Sequence, residues 1–175
     1  MSEKQLGHYE TLKKMPKLNI DCILYVFDVS YENLALILRS ADVFGVKEVY
    51  YHQDNKIEIG SRFLKISRNS KIPILFSENA SVLVDFKIDG YNIAALEITD
   101  TSVPLRMASF PKKVCLVIGN EQYGVPEEIL RIVDNIFHIE MIGEHISSLN
   151  VSIATSIALY EISQFFIKQG ISIGN

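Results

Sequence analysis

Between His138 and Glu161 the chain reads HIEMIGEHISSLNVSIATSIALYE, and no other stretch limits the possible folds as much. A short apolar strand ends in a glycine turn, passes a polar Ser-Ser-Leu-Asn corner and enters a helix that is apolar almost all round. Only Ser152, Thr155 and Ser156 interrupt it before Glu161. A helix with so little polar face is expected to be buried on most sides. The corner before it gathers the Ser147, Ser148 and Asn150 side chains with the free N–H groups of a helix start. That combination suits holding a small polar ligand against a fixed backbone.

The rest of the chain alternates. DCILYVFDV (21–29) reads as a buried strand. ENLALILRSADVF (32–44) reads as a helix with Leu34, Ile37, Leu38, Ala41 and Phe44 on one face, and Gly45 ends it. Strands are expected at 46–52, 71–77, 91–98, 113–119 and 134–141. Helices are expected at 61–68, from Asn79 or Ser81 to Phe86, and at 126–133, where Pro126 and two acids suit a first turn. Strands separated by helices predict an α/β fold: a mainly parallel sheet with helices on both faces. Ligands in such sheets sit beyond the carboxyl ends of the strands. The longest polar connection, 99–112, is a candidate substrate loop.

At 175 residues, with 48% hydrophobic and 22% charged residues, the chain reads as one domain spanning 1–175, of which 1–20 is a short extension. The net charge of −4 neither suggests nor excludes nucleic acid, because binding follows the local face that meets the phosphates. Cys22 and Cys115 lie inside apolar runs and read as reduced core residues, and nothing has metal-ligand spacing. The polar N-terminus is no signal peptide, and no apolar run is long enough for a membrane helix. The expectation is a cytoplasmic protein with no metal.

Familiar nucleotide loops are missing. GNEQYG (119–124) has the spacing of a phosphate loop, but Val125 and Pro126 stand where its Lys and Ser/Thr belong. No GxGxxG follows an expected strand.

Three segments together resemble the SpoU, or TrmH-like, branch of the SPOUT RNA methyltransferases. ENLALILRSADVFGV (32–46) resembles its first motif, with Asn33 and Arg39 six residues apart. LVIGNEQYGVPEEIL (116–130) resembles the second, with Gly119, Glu121 and Gly124. IEMIGEHISSLNVSIATSIALYE (139–161) resembles the third. The resemblance covers residues 20 to 167 and implies a C-terminal segment threaded into a deep trefoil knot. It further implies S-adenosylmethionine held in that knot, a homodimer with the active site near its interface, and methyl transfer to a ribose 2'-hydroxyl of RNA. A chain with so little beyond this core fits tRNA better than rRNA. The competing reading is a catalytically degenerate homologue that binds RNA or cofactor only.

On that resemblance the catalytic set is Arg39, Asn33, Glu121, Ser148 and Asn150. Arg39 either grips a phosphate and polarises the 2'-OH, or forms a surface salt bridge with Glu32 or Asp42. A guanidinium hardly deprotonates, so positioning is favoured over a base role. Asn33 caps its helix, ties the preceding loop to the site, or both. Glu121 anchors its loop, the Asn150 region or the partner's Arg39, rather than acting as a base, or is a solvated carboxylate. Leu96, Glu97, Gly119, Ile139, Met141, Ser148, Leu149 and Asn150 are the expected cofactor contacts, Ser148 and Asn150 being equally able to cap a helix. Asn120 and Tyr123 stand where tRNA-type relatives often carry Ala and Trp. Arg62, Lys65, Arg68 and Lys71 recur as one basic helical face for RNA together with Arg39, and Lys13, Lys14 and Lys17 form a second cluster. His8, His52, His138 and His145 show no ligand spacing.

Overall fold

A computed structural model describes residues 7, 10, 21–53 and 59–169. The Lys13, Lys14 and Lys17 cluster and His8 lie outside the described residues. Strands β1 (Asp21–Phe27), β2 (Glu48–His52), β3 (Ile74–Ser77), β4 (Asn92–Leu96), β5 (Val103–Pro104), β6 (Lys113–Ile118) and β7 (Asn135–His138) form one sheet. Helices α1 (Tyr31–Val43), α2 (Ser61–Ile66), α3 (Val82–Ile88), α4 (Glu127–Leu130) and α5 (Val151–Lys168) pack around it. The strand order is β3-β2-β1-β6-β4-β7-β5, and every pairing is parallel.

The central strand shows why. From Cys22 to Phe27 every residue of β1 is buried, and successive side chains enter opposite layers. Cys22, Leu24 and Val26 join the core shared with α1, Phe63 of α2 and α5. Ile23, Tyr25 and Phe27 join the core under Leu83 and Phe86 of α3 and Ile129 of α4. A strand apolar on both faces is stable only between two helical layers. Cys22 and Cys115 are both buried and unpaired, and burial pushes the Cys22 thiol up to about 12.

Several expectations change. α5 is not buried on most sides. Its inner face carries Ser152, Thr155 and Ser163 with Ala158, Leu159, Ile162 and Phe166, while Ile153 is 52% and Tyr160 48% exposed. The small polar residues can face inward because each hydroxyl has an acceptor within the helix or at its cap: Thr155 donates to Val151 O at 2.7 Å, Ser163 to Tyr160 O at 2.7 Å, and Ser152 to the Asn150 side chain at 2.6 Å. Ser40 and Ser156 share a 2.7 Å hydrogen bond where α1 meets α5. The 99–112 connection contains the two-residue edge strand β5, paired to β7, and a short helical turn over Leu105–Met107. α2 stops at Ile66 because Arg68 and Asn69 adopt φ of 58° and 56°, the left-handed region.

Candidate active site

The site begins with a hairpin that needs glycine at both ends. After β6, Asn120 and Gly124 exchange backbone hydrogen bonds of 3.0 and 2.9 Å. A Cβ on Gly119 would collide with the backbone of Gly124 and Val125. Gly124 has φ of 67°, and a Cβ there would strike the Glu97 carboxylate. Asn120 Oδ1 accepts the N–H groups of Gln122 and Tyr123 at 2.8 and 3.2 Å, and its amide donates to the Asp28 carbonyl. Glu97 accepts the Val125 N–H at 2.8 Å and the Ile98 N–H at 3.0 Å. The hairpin is thereby pinned to the ends of β1 and β4. Asn120, which the motif comparison left aside, is its anchor; an Asn directly after a strand, two residues before the turn amide it binds, was the available signal.

The three motif segments meet in one line of hydrogen bonds. Glu121 Oε1 accepts the Ser30 N–H at 2.8 Å and the Asn33 amide at 2.5 Å. Asn33 Oδ1 accepts the Asn150 amide at 3.1 Å. Asn150 Oδ1 caps α5, accepting the Ser152 N–H at 2.9 Å and the Ser152 hydroxyl at 2.6 Å. Asn33 itself caps nothing: Ser30 is the cap of α1, its hydroxyl accepting the Asn33 N–H at 3.3 Å. Ser immediately before an apolar-periodic stretch is a helix-start signal that a focus on Asn33 passed over. Burial pushes the Glu121 carboxyl up, but the hydrogen bonds from Asn33 and Ser30 outweigh it and hold the group below the usual carboxylate range. An ionised, acceptor-only carboxylate so engaged is an anchor rather than a base.

Beside this line, beyond the carboxyl ends of β4, β6 and β7, lies a cleft of about 730 Å³. The end of β4 contributes Leu96 and the residue after it Glu97, and the hairpin contributes Gly119 and Glu121. The segment after β7 contributes Ile139, Met141, Ser148, Leu149 and Asn150. All the expected cofactor contacts therefore border one space. Thr99, the first residue of the connection expected to meet a ligand, borders it as well, as do Gln122, Tyr123 and His138, which were unanticipated. His138 sits at a strand's carboxyl end, and its Nδ1 lies 3.0 Å from the Ser102 hydroxyl, which donates to Thr99 O at 2.8 Å. Arg106 grips the Glu140 carboxylate through Nε and Nη2 and so ties the 99–112 connection to the segment after β7; that contact holds Glu140 below the usual carboxylate range. The volume suits a small-molecule site, typically about 300–1,000 Å³. Apolar walls with two carboxylates and a free-standing hydroxyl suit a cationic, hydroxyl-bearing nucleoside.

Arg39 does not join this cleft. It lies exposed in a separate groove of about 300 Å³ between α1 and α5, with Leu36, Ser40, Val43, Phe44, Ser152, Ile153 and Ser156. Its expected salt-bridge partners are engaged elsewhere: Glu32 pairs with Arg62 at 2.9 Å, and Asp42 accepts the Lys71 N–H at 3.1 Å. Arg62 and Lys65 are exposed on α2, but Arg68 lies in the turn after it and Lys71 beyond that turn, so neither extends that helical face. Among the described residues no three His, Cys, Asp or Glu side chains gather as a metal site, and no helix is long and apolar enough to cross a membrane.

Residues 22–160 match the model of the SpoU rRNA Methylase family. A tRNA (guanosine(18)-2'-O)-methyltransferase of Aquifex aeolicus (strain VF5) is 35% identical over 163 residues, covering 91% of this chain and 75% of that protein. Its counterpart in Escherichia coli (strain K12) is 30% identical over 135 residues, covering 74% of this chain and 56% of the relative, a little over half its length. The crystal structure of an A. aeolicus TrmH/SpoU tRNA modifying enzyme superposes with a TM-score of 0.78 at 33% identity, over 89% of this chain and 80% of that one. The AdoMet-bound rRNA methyltransferase from Sinorhizobium meliloti superposes with a TM-score of 0.76 at 26% identity, over 87% and 59%.

Proposed function

The chain belongs to the SpoU rRNA methylase family, and from that premise we propose that it is an S-adenosylmethionine-dependent RNA methyltransferase acting on a ribose 2'-hydroxyl, with tRNA favoured over rRNA. The observation that carries the reading is the hydrogen-bonded line Ser30–Glu121–Asn33–Asn150, which joins all three motif segments at the edge of a nucleoside-sized cleft.

The cofactor supplies an electrophilic methyl group on a cationic sulfonium. Leu96, Gly119, Ile139, Met141 and Leu149, which line the cleft, would wall its adenosyl part, and Glu97 and Ser148 would be its polar contacts. Glu121, Asn33 and Asn150 are positioning residues: they fix the hairpin and the start of α5 so that the acceptor oxygen meets an aligned donor. Arg39 holds a phosphate of the target nucleotide and polarises the 2'-OH, and a substrate phosphate takes the proton, since the guanidinium stays protonated.

Because Arg39 and the cleft are apart within one protomer, the reading includes a homodimer. The groove beside Arg39 is rimmed by Val43, 72% exposed, and Ile153, an apolar face suited to a second copy. Two copies joined there carry Arg39 toward the partner's cleft. Arg62, Lys65 and Arg68 contact RNA phosphates at the periphery. The same reading takes residues 1–175 as one domain, gives it the trefoil knot of its family, needs no metal and puts the protein in the cytoplasm.

The test is transfer of labelled methyl from S-adenosylmethionine to bulk tRNA and bulk rRNA, followed by nuclease mapping. Label in an alkali-resistant dinucleotide from tRNA is expected. Label on a base, or none in either RNA while calorimetry still detects cofactor, overturns the assignment.

A further inference from the structure

One side chain at the mouth of the cleft is exposed to a degree that nothing among the described residues explains. Tyr123 is 80% exposed, and among the described residues its ring and hydroxyl have no partner. Yet its backbone is firmly held. Its N–H is bound by Asn120 Oδ1 at 3.2 Å, the hairpin closes at Gly124, and Asn120 is tied to Asp28. A large aromatic ring on a fixed backbone, facing water, presents a π surface with only two side-chain torsions to order.

Its location narrows the occupant. The ring borders the same cleft as Glu121, Met141 and Leu149, two residues beyond Glu121 on the hairpin. The cleft's walls are made by Leu96, Gly119 and Ile139, whereas Tyr123 stands at the rim, so whatever covers it arrives from solvent. A ribose presenting its 2'-OH to the cleft carries its base on the same sugar, within reach of that rim. Unpaired RNA bases are commonly splayed out and stacked on aromatic side chains.

Building on the methyl-transfer reading, the geometry points to Tyr123 as a stacking platform for the nucleobase of the target nucleotide. Stacking accepts any base, since each has a π face, so Tyr123 supplies affinity and orientation for the flipped nucleotide while leaving base choice to other contacts.

The test compares Tyr123→Ala, Tyr123→Phe and Tyr123→Trp with the unaltered chain for kcat/KM on RNA. Cofactor affinity is followed by calorimetry and oligomeric state by sedimentation. For Tyr123→Ala, kcat/KM on RNA is expected to fall on the order of ten- to a hundredfold, mainly through KM. The Phe and Trp variants keep near-normal values, and cofactor affinity is unchanged throughout. An undiminished Ala variant overturns the proposal, as does a Phe variant as impaired as Ala, which would assign the role to the hydroxyl. Lost cofactor affinity would move the ring onto the adenosyl group, and lost association would move it into an interface between copies; either overturns it. If the unaltered chain transfers no methyl to RNA, the methyl-transfer reading fails instead. Stacking is then read separately, by whether RNA containing 2-aminopurine is quenched by the unaltered chain and not by Tyr123→Ala.

Discussion

Asn150 donates its side-chain amide to Asn33 Oδ1 at 3.1 Å across 117 positions of sequence, while its own Oδ1 caps the last helix. One side chain thus serves as helix cap and as tie to the first motif, so the start of α5 cannot shift without disturbing α1. The Asn33 amide extends the same tie to Glu121.

Asn33→Ala removes the middle of that line and leaves the Glu121 carboxylate and the Asn150 amide each short of a partner. Asn33 is only 9% exposed, so water replaces it poorly. A loss of about 1–3 kcal/mol in unfolding free energy is expected, with a larger proportional loss of methyl transfer. Urea titration and a kinetic assay check both; a variant as stable as the parent would mean that the line contributes little.

Glu121 makes stability depend on pH. Its folded pKa lies below the unfolded value of 4.5, so its stabilisation is complete above that value and fades as pH falls through the lower folded pKa. Urea midpoints for the parent and Glu121→Gln are expected to differ most at neutral pH and to converge in acid. Glu140, also held below the usual carboxylate range by Arg106, is present in both proteins and cancels from the comparison. A gap independent of pH would locate the effect outside the carboxylate.

Gly119→Ala forces a methyl group into the backbone of Gly124 and Val125. The hairpin must open, at a cost of about 1–3 kcal/mol, and the cleft loses its floor. Thermal melting should show a modest decrease while calorimetry shows cofactor affinity greatly reduced. Normal affinity would place the cofactor away from this hairpin.

Arg39→Ala is expected to cut methyl transfer on the order of a hundred- to a thousandfold, the usual effect of losing one charge-stabilising donor, with cofactor affinity retained. Lys should restore little, because it lacks the planar fork. Sedimentation of the parent chain should show a dimer at micromolar concentration. A monomer with full activity would require Arg39 to work from its own groove.

Much of this was legible in the residues. The both-sides-apolar strand DCILYVF announced a covered parallel sheet, and the motif residues Gly119, Glu121, Ser148 and Asn150 collected around one cleft as expected. Elsewhere local pattern lost to tertiary context. The apolar count of α5 implied burial on most sides, but Thr155 and Ser163 satisfy their hydroxyls on the helix backbone and Ser152 on the capping Asn150 side chain, so all three face inward, turning Ile153 and Tyr160 out. β5 is two residues of edge strand ending in Pro104, too short for any periodicity. Arg39 reads as an active-site residue from its motif, yet which space its helix turns it toward is set by the packing of α1 on α5.

The sheet order also bears on how the chain emerges from the ribosome. β1 pairs with β2 on one side, close in sequence, but its other side waits for β6, which begins only at Lys113. Until then the nascent chain holds a half-sheet, β3-β2-β1, whose innermost strand offers a row of unpaired backbone groups beside wholly apolar flanks. Such an open edge is a template for misassembly. Synthesis is therefore expected to depend on chaperones that shield β1, with slowed translation between Asn92 and Lys113 increasing aggregation of the newly made protein.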